Sequence, residues 1–97
     1  MLFVVLCNDK PGHLDLRMAT RPPHVEWLKG LEAGGTLKAA GPFLGDDGKP
    51  VGSMLILKAE SLEAATALAA QDPYAGAGLF SDVTVRPWNW VFVNPEA

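Results

Sequence analysis

Residues 1–7 read MLFVVLC, an apolar run rich in Val and Leu with no polar residue to break it. It is far shorter than the ~20 residues of a membrane-spanning helix, and its length and composition fit a strand covered on both faces. Such a strand needs one layer of structure above it and another below. The chain has 97 residues, which suits a single domain that buries roughly 60–70% of its unfolded surface. Its composition, 48% hydrophobic and 20% charged, is that of a globular chain. The apolar share is generous for this length, which points to part of it being hidden by a second subunit.

The remaining elements follow from periodicity and punctuation. NDKPGH carries turn formers, and LDLRMAT reads either as loop or as a short helical turn. A helix is expected next, with Thr20 as N-cap and Pro22 and Pro23 in its first turn, where a missing N–H costs nothing. Val25, Leu28 and Leu31 make its apolar stripe, Glu26, Lys29 and Glu32 its outer face, and Gly34-Gly35 its end. TLKAAGPF is a second strand. LGDDGKPVG is a turn-rich connection with Asp47-Gly48 at its tip, and SMLILKA is a third strand. Ser61 can cap a second helix with Leu62, Ala65, Leu68 and Ala69 as its buried stripe. Asp72-Pro73 ends that helix, because proline disfavours helical conformation in the residue before it. YAGAGLF is a small-residue connection. DVTVRPWNWVFV is a last strand, with Pro87 at an edge or bulge and Trp88 and Trp90 on one face.

The order is β-α-β-β-α-β, a single α+β domain of ferredoxin-like type with a four-stranded antiparallel sheet. Right-handed crossovers put both helices on one face of the sheet. The other face is too apolar to meet water, so a partner sheet is expected, and two sheets back to back make a dimeric α+β barrel.

Several functions are disfavoured. The net charge is −3 and the eight basic residues are scattered, which leaves no stripe to track a nucleic acid backbone. No segment is long and apolar enough for a membrane helix, and the N-terminus lacks a signal-peptide pattern, so a cytoplasmic protein is expected. The single cysteine, Cys7, excludes an intrachain disulfide and reads as a small buried hydrophobe. His13 and His24 stand eleven apart, and neither has a His or Cys at i+2, i+3 or i+4, so no metal motif is present. No phosphate-binding glycine motif lies between a strand and a helix.

The topology gathers one set of residues at one rim: the loop after Asn8, the helix start with His24, the Gly41-to-Ser53 connection, and Asp72, Pro73 and Tyr74. A carboxylate beside an imidazole fixes its tautomer and raises its basicity, so His24 and Asp72 form a candidate catalytic pair. Spacing alone favours a purely structural hydrogen bond, or no contact at all. Ser53 either donates to a substrate or begins a strand. Gly41-Pro42 either lets backbone approach a ligand or turns the chain. Arg17 and Arg21 either receive a carboxylate or phenolate or solvate the surface. Tyr74 is a proton donor, a pocket wall or a packing plug.

The stretches RPPHVEWLKGL, GTLKAAGPF, DGKPVGSMLIL, SLEAATALAAQDPYAGAGLF and VTVRPW together resemble the YCII (YciI-like) family over nearly the whole chain. The resemblance implies a ferredoxin-like subunit in a dimeric α+β barrel, with a His–Asp site at His24 and Asp72. Some relatives in that barrel superfamily catalyse isomerisation, lyase or dehydrohalogenation steps on small ring compounds. The expectation is therefore a small lyase- or isomerase-type enzyme without cofactor, in which His24 takes a proton from a small metabolite and Asp72 orients it; hydrolysis, with water activated by His24, is the other reaction that fits. The rival is a non-catalytic protein that binds a small molecule. An enzyme needs His24 open to a cavity with Asp72 in hydrogen-bond reach, whereas a binding protein tolerates an inaccessible His24.

Overall fold

The structure, a computed structural model, describes residues 1–96. Strand β1 spans Leu2–Asp9, helix α1 Leu14–Ala33, β2 Leu37–Leu44, β3 Pro50–Lys58, α2 Leu62–Ala69, α3 Pro73–Gly76 and β4 Phe80–Trp88. The strands form one sheet in the order β2-β3-β1-β4, with every neighbouring pair antiparallel. This is the ferredoxin-like α+β arrangement that the element order predicts. The apolar β1 and β3 occupy the centre. Pro87 lies on the edge strand β4, where one side of the backbone needs no ladder partner.

The register separates the two faces of the sheet. Phe3, Val5 and Cys7 stand opposite Leu57, Leu55 and Ser53. The helices cover this face, and Val5, Cys7, Leu55, Leu57 and Ala69 form its buried cluster, with Trp27, Leu28 and Leu31 of α1 packed against it. Alternation turns Leu2, Val4 and Leu6 to the other face, beside Met54 and Ile56. There Leu2, Val4, Leu6 and Met54 are only half-buried. The chain thus covers one side of its opening apolar run and leaves the other partly open.

Four local features differ from the sequence reading. Helix α1 begins at Leu14 instead of after Thr20, and Pro22 and Pro23 lie inside it. Each proline removes one N–H donor, and the carbonyls of Met18 and Ala19 lose their usual partners. The first turns hold because Arg17, which is 4% exposed, is tied to β1 and β3 by its side chain. Secondly, the segment after Asp72 is not plain connection but a single helical turn, α3. Thirdly, β4 stops at Trp88, and Trp90 lies beyond it with its ring 5.5 Å from that of Trp88. Fourthly, Leu62 is largely exposed, so α2 is anchored through Ala65 and Ala69. The Ser61 cap forms as expected, its Oγ accepting from the Ala64 N–H at 3.1 Å. Gly35 takes the left-handed conformation past the end of α1, with φ +77°.

Candidate functional site

Arg17, Arg21, His24, Leu28 and Leu31 succeed one another at intervals of four and three along α1, so they share one face of the helix. The upper part of that face is polar and the lower part apolar. Leu28 and Leu31 pack on the sheet. The polar part opens on a cavity of about 330 Å³ between α1 and the adjoining ends of β2 and β3. His24, Arg17, Arg21, Ser53, Tyr74, Gly41 and Pro42 all line it, together with apolar side chains such as Met18, Val25 and Leu55. Gly41 and Pro42 lie within β2 and Ser53 within β3, opposite Pro42, so none of the three belongs to the turn. His24 sits in the middle of α1 instead of at its N-terminus, because the helix begins ten residues earlier, at Leu14. The helix macrodipole, concentrated in the first and last turns, therefore has little hold on it.

His24 is 7% exposed and Asp72 1% exposed. The His24 Nδ1 lies 2.7 Å from Asp72 Oδ1, and the same oxygen accepts the backbone N–H of Tyr74 at 2.9 Å. Asp72 thus caps α3 and holds the imidazole with one atom, and Pro73 follows as the first helical residue. A carboxylate only accepts, so Nδ1 carries the proton it donates, and Nε2 of the neutral ring holds the free lone pair. Among the described residues Nε2 has no hydrogen-bond partner, and it is not among the atoms sealed from solvent. The other carboxylate oxygen, Asp72 Oδ2, is sealed and unpartnered. The Tyr74 ring stacks on His24 with centroids 3.8 Å apart, and the Arg17 guanidinium lies 4.6 Å from the Tyr74 centroid on that ring. Burial pushes the Tyr74 hydroxyl above its ordinary pKa, against the opposing charges of Arg17 and Arg21.

The two arginines differ. Arg17 donates from Nε and Nη2 to the two oxygens of Asp9 at 2.7 and 3.1 Å, and from Nη2 to Ser53 Oγ at 2.7 Å. Burial works against its charge, but the hydrogen bond and charge of Asp9 outweigh it and hold the guanidinium above its ordinary pKa. Its fork is therefore taken by the protein itself. Arg21 is exposed at the cavity and has no ion pair among the described residues. Asp9 is absent from the sequence reading. The available signal was an acidic residue at the end of a central strand, but placing the start of α1 too late removed Arg17 from its reach.

Cys7 stands opposite Ser53 in the register. Burial, with the nearby charges of Asp72 and Asp9, pushes its thiol up to about 12, so it is a neutral packing group. Among the described residues no group of three or more His, Cys, Asp or Glu side chains could hold a metal ion. No helix is long and apolar enough to cross a membrane.

The model of the YCII-related domain matches residues 1–89. The chain belongs to the YCII-related family. Protein YciI of Escherichia coli is 40% identical to it over 98 residues, which is 95% of this chain and 100% of that protein. A second relative is the derivative of benzaldehyde biosynthesis cluster protein C of Emericella nidulans. It is 39% identical over 75 residues, 70% of this chain and 76% of that protein. Among solved structures, the 5-chloro-2-hydroxyhydroquinone dehydrochlorinase TftG of Burkholderia phenoliruptrix, in complex with 2,5-dihydroxybenzoquinone, superposes with a TM-score of 0.83. It is 35% identical, and the match covers 92% of this chain and 94% of that one. The YCII-related domain, which ends at residue 89, contains every residue that lines the cavity.

Proposed function

We propose that this YCII-related protein is an enzyme acting on a small hydroxylated ring compound, with His24 as general base and Asp72 as the group that orients it. One observation carries the reading. His24 opens on a cavity while its Nδ1 is fixed by a buried carboxylate, which leaves Nε2 as the acceptor for a substrate proton. The proton comes from a ring hydroxyl or from an sp3 C–H of the keto tautomer: its bond breaks toward Nε2, and the electron pair moves into the conjugated system of the ring. Asp72 then faces an imidazolium and stabilises it. A β-halide on the ring can leave with its bonding pair, which makes the net reaction a loss of hydrogen halide. Without a leaving group the same proton abstraction gives isomerisation. Arg21, exposed and without an ion pair, supplies a cation for an anionic ring substituent.

The comparisons support the substrate class. TftG, by its description, dehydrochlorinates a chlorinated hydroxyhydroquinone and holds a dihydroxybenzoquinone. The Emericella relative bears the name of a biosynthetic cluster for benzaldehyde derivatives. A cavity of about 330 Å³ suits a single ring with small substituents. The half-buried apolar residues on the open sheet face support a second copy lying against that face, as in a dimeric α+β barrel. Incubation with 5-chloro-2-hydroxyhydroquinone and related halogenated hydroquinones, with chloride release as the readout, tests the reaction. We expect release that His24→Gln reduces by at least about a hundredfold. Full activity in that variant removes the base assignment, and ring binding without any turnover makes the protein a binding module.

A further inference from the structure

Asp9, Arg17 and Ser53 form a second chain of contacts into the same cavity, and the base assignment leaves it unused. We propose that Ser53 is a catalytic oxyanion donor, with its proton aimed into the cavity by the Asp9–Arg17 pair. The inference rests on the proton-abstraction reading above and deepens it. It specifies a substrate whose ionised form places negative charge on an oxygen, an enolate or a phenolate.

A serine hydroxyl has one proton and two lone pairs. Arg17 Nη2 donates to Ser53 Oγ at 2.7 Å, so one lone pair is taken and the hydroxyl proton must turn away from the guanidinium. Ser53 Oγ makes no other hydrogen bond among the described residues. The residue is 3% exposed and lines the cavity, so the acceptor for its proton is whatever occupies that space. Accepting from a cation polarises the O–H bond and strengthens it as a donor.

Asp9 completes the arrangement. Its two oxygens accept Nε and Nη2 of Arg17 at 2.7 and 3.1 Å, which fixes the guanidinium plane and keeps it from swinging out to the substrate. Arg17 and Asp9 are thus positioning residues, and Ser53 is the group that touches the reacting molecule. Asp9 also balances the charge of Arg17. The cavity keeps three ligand-facing groups with distinct tasks: His24 to take the proton, Ser53 to meet the oxygen on which charge develops, and Arg21 for a fixed anionic substituent.

Titration of bound para-nitrophenol, followed through the absorbance of its phenolate, reads this arrangement without turnover. The charged and titratable groups around the ligand are Arg17, Arg21, His24 and Tyr74 at the cavity, with Asp9, Asp72 and Cys7 behind them. Wild-type protein is expected to lower the pKa of the bound phenol, and Ser53→Ala to raise it again by about one pH unit. Asp9→Asn unbalances the Arg17 charge, which lowers the pKa whether or not Ser53 is alanine, and loosens the Ser53 donor, which raises it only where Ser53 is present, so the two substitutions are expected to be non-additive. Arg17→Ala strands a buried carboxylate and threatens folding, so Ser53→Ala and Asp9→Asn carry the test. An unchanged pKa in Ser53→Ala, additive effects of the two substitutions, or no binding of the phenol overturns the donor assignment. The His24 reading is judged separately, since His24→Gln is measured on halide release.

Discussion

Asp72 is the residue on which the site and the local fold both depend, and its replacement gives a test that needs no substrate. In Asp72→Ala two bonds disappear together. The Tyr74 N–H loses the cap it donates to at 2.9 Å, which costs about 1 kcal/mol. The His24 Nδ1–H, paired at 2.7 Å in the folded protein, is left in a ring that is 7% exposed, at a cost of about 1–3 kcal/mol. Removing a buried carboxylate with one sealed, unpartnered oxygen returns part of this. The net loss is about 2 kcal/mol, equivalent to a fall in Tm of roughly 8–16 °C for a domain of this size. Asp72→Asn keeps an acceptor at Oδ1 for both donors, and its loss stays below about 1 kcal/mol. The double variant His24→Ala/Asp72→Ala loses less than the sum of the single variants, because each removes the other's partner. Urea unfolding followed by circular dichroism, at one fixed protein concentration, measures wild type, the two Asp72 variants, His24→Ala and the double variant. If Asp72→Ala unfolds within about 0.5 kcal/mol of wild type, or if Asp72→Asn is equally damaging, the two bonds do not carry the stability assigned to them here.

Four other outcomes are expected. The raised Cys7 thiol means that folded and unfolded chains both hold the proton below pH 9, whereas above it the unfolded chain alone releases it. Stability therefore falls as the pH climbs from 9 toward about 12, and Cys7→Ala gives a shallower slope in unfolding measured across that range. A methyl group on Gly52 runs into the Cys7 carbonyl of the neighbouring strand, so Gly52→Ala costs about 3 kcal/mol. Gly41 stands opposite Met54, so the methyl of Gly41→Ala points to the open sheet face, meets nothing within 4 Å and leaves both fold and cavity intact, which separate unfolding and ring-binding titrations check. Leu6→Lys places a charge on the open sheet face while leaving the helix-covered core intact, and light scattering is expected to give a dimer for wild type and a monomer for the variant. A monomeric wild-type protein at low micromolar concentration contradicts the barrel.

The order of elements was legible because the signals for it are redundant. The opening run has no polar residue, Ser61 caps where a cap was expected, and Asp72-Pro73 interrupts where proline must. The meeting of His24 with Asp72 followed from that order, since the topology brings α1 and the segment after α2 to one rim. The start of α1 was not legible. Pro22 and Pro23 imitate a first turn, and what carries the helix through residues 14–21 is the bond from Arg17 to Asp9 and Ser53, a tertiary contact with no local signature. The same displacement hid the alignment of Arg17 and Arg21 with His24. The turn α3 was missed because a four-residue helix has too little periodicity to register, and its cap was already assigned to ending the helix before it.

That one turn has a consequence for motion. Helix α3 is Pro73–Gly76, capped by Asp72 and carrying Tyr74. Fraying of so short a helix releases the carboxylate that holds His24 and the ring stacked on it in a single event. An opening of α3 would therefore take both partners from His24 together. The backbone amide of Gly76, which donates to the Asp72 carbonyl at 3.1 Å, reports on that opening. Its hydrogen-exchange rate measures the fraction of time during which no base is poised, and a ligand that bridges His24 and Ser53 slows it.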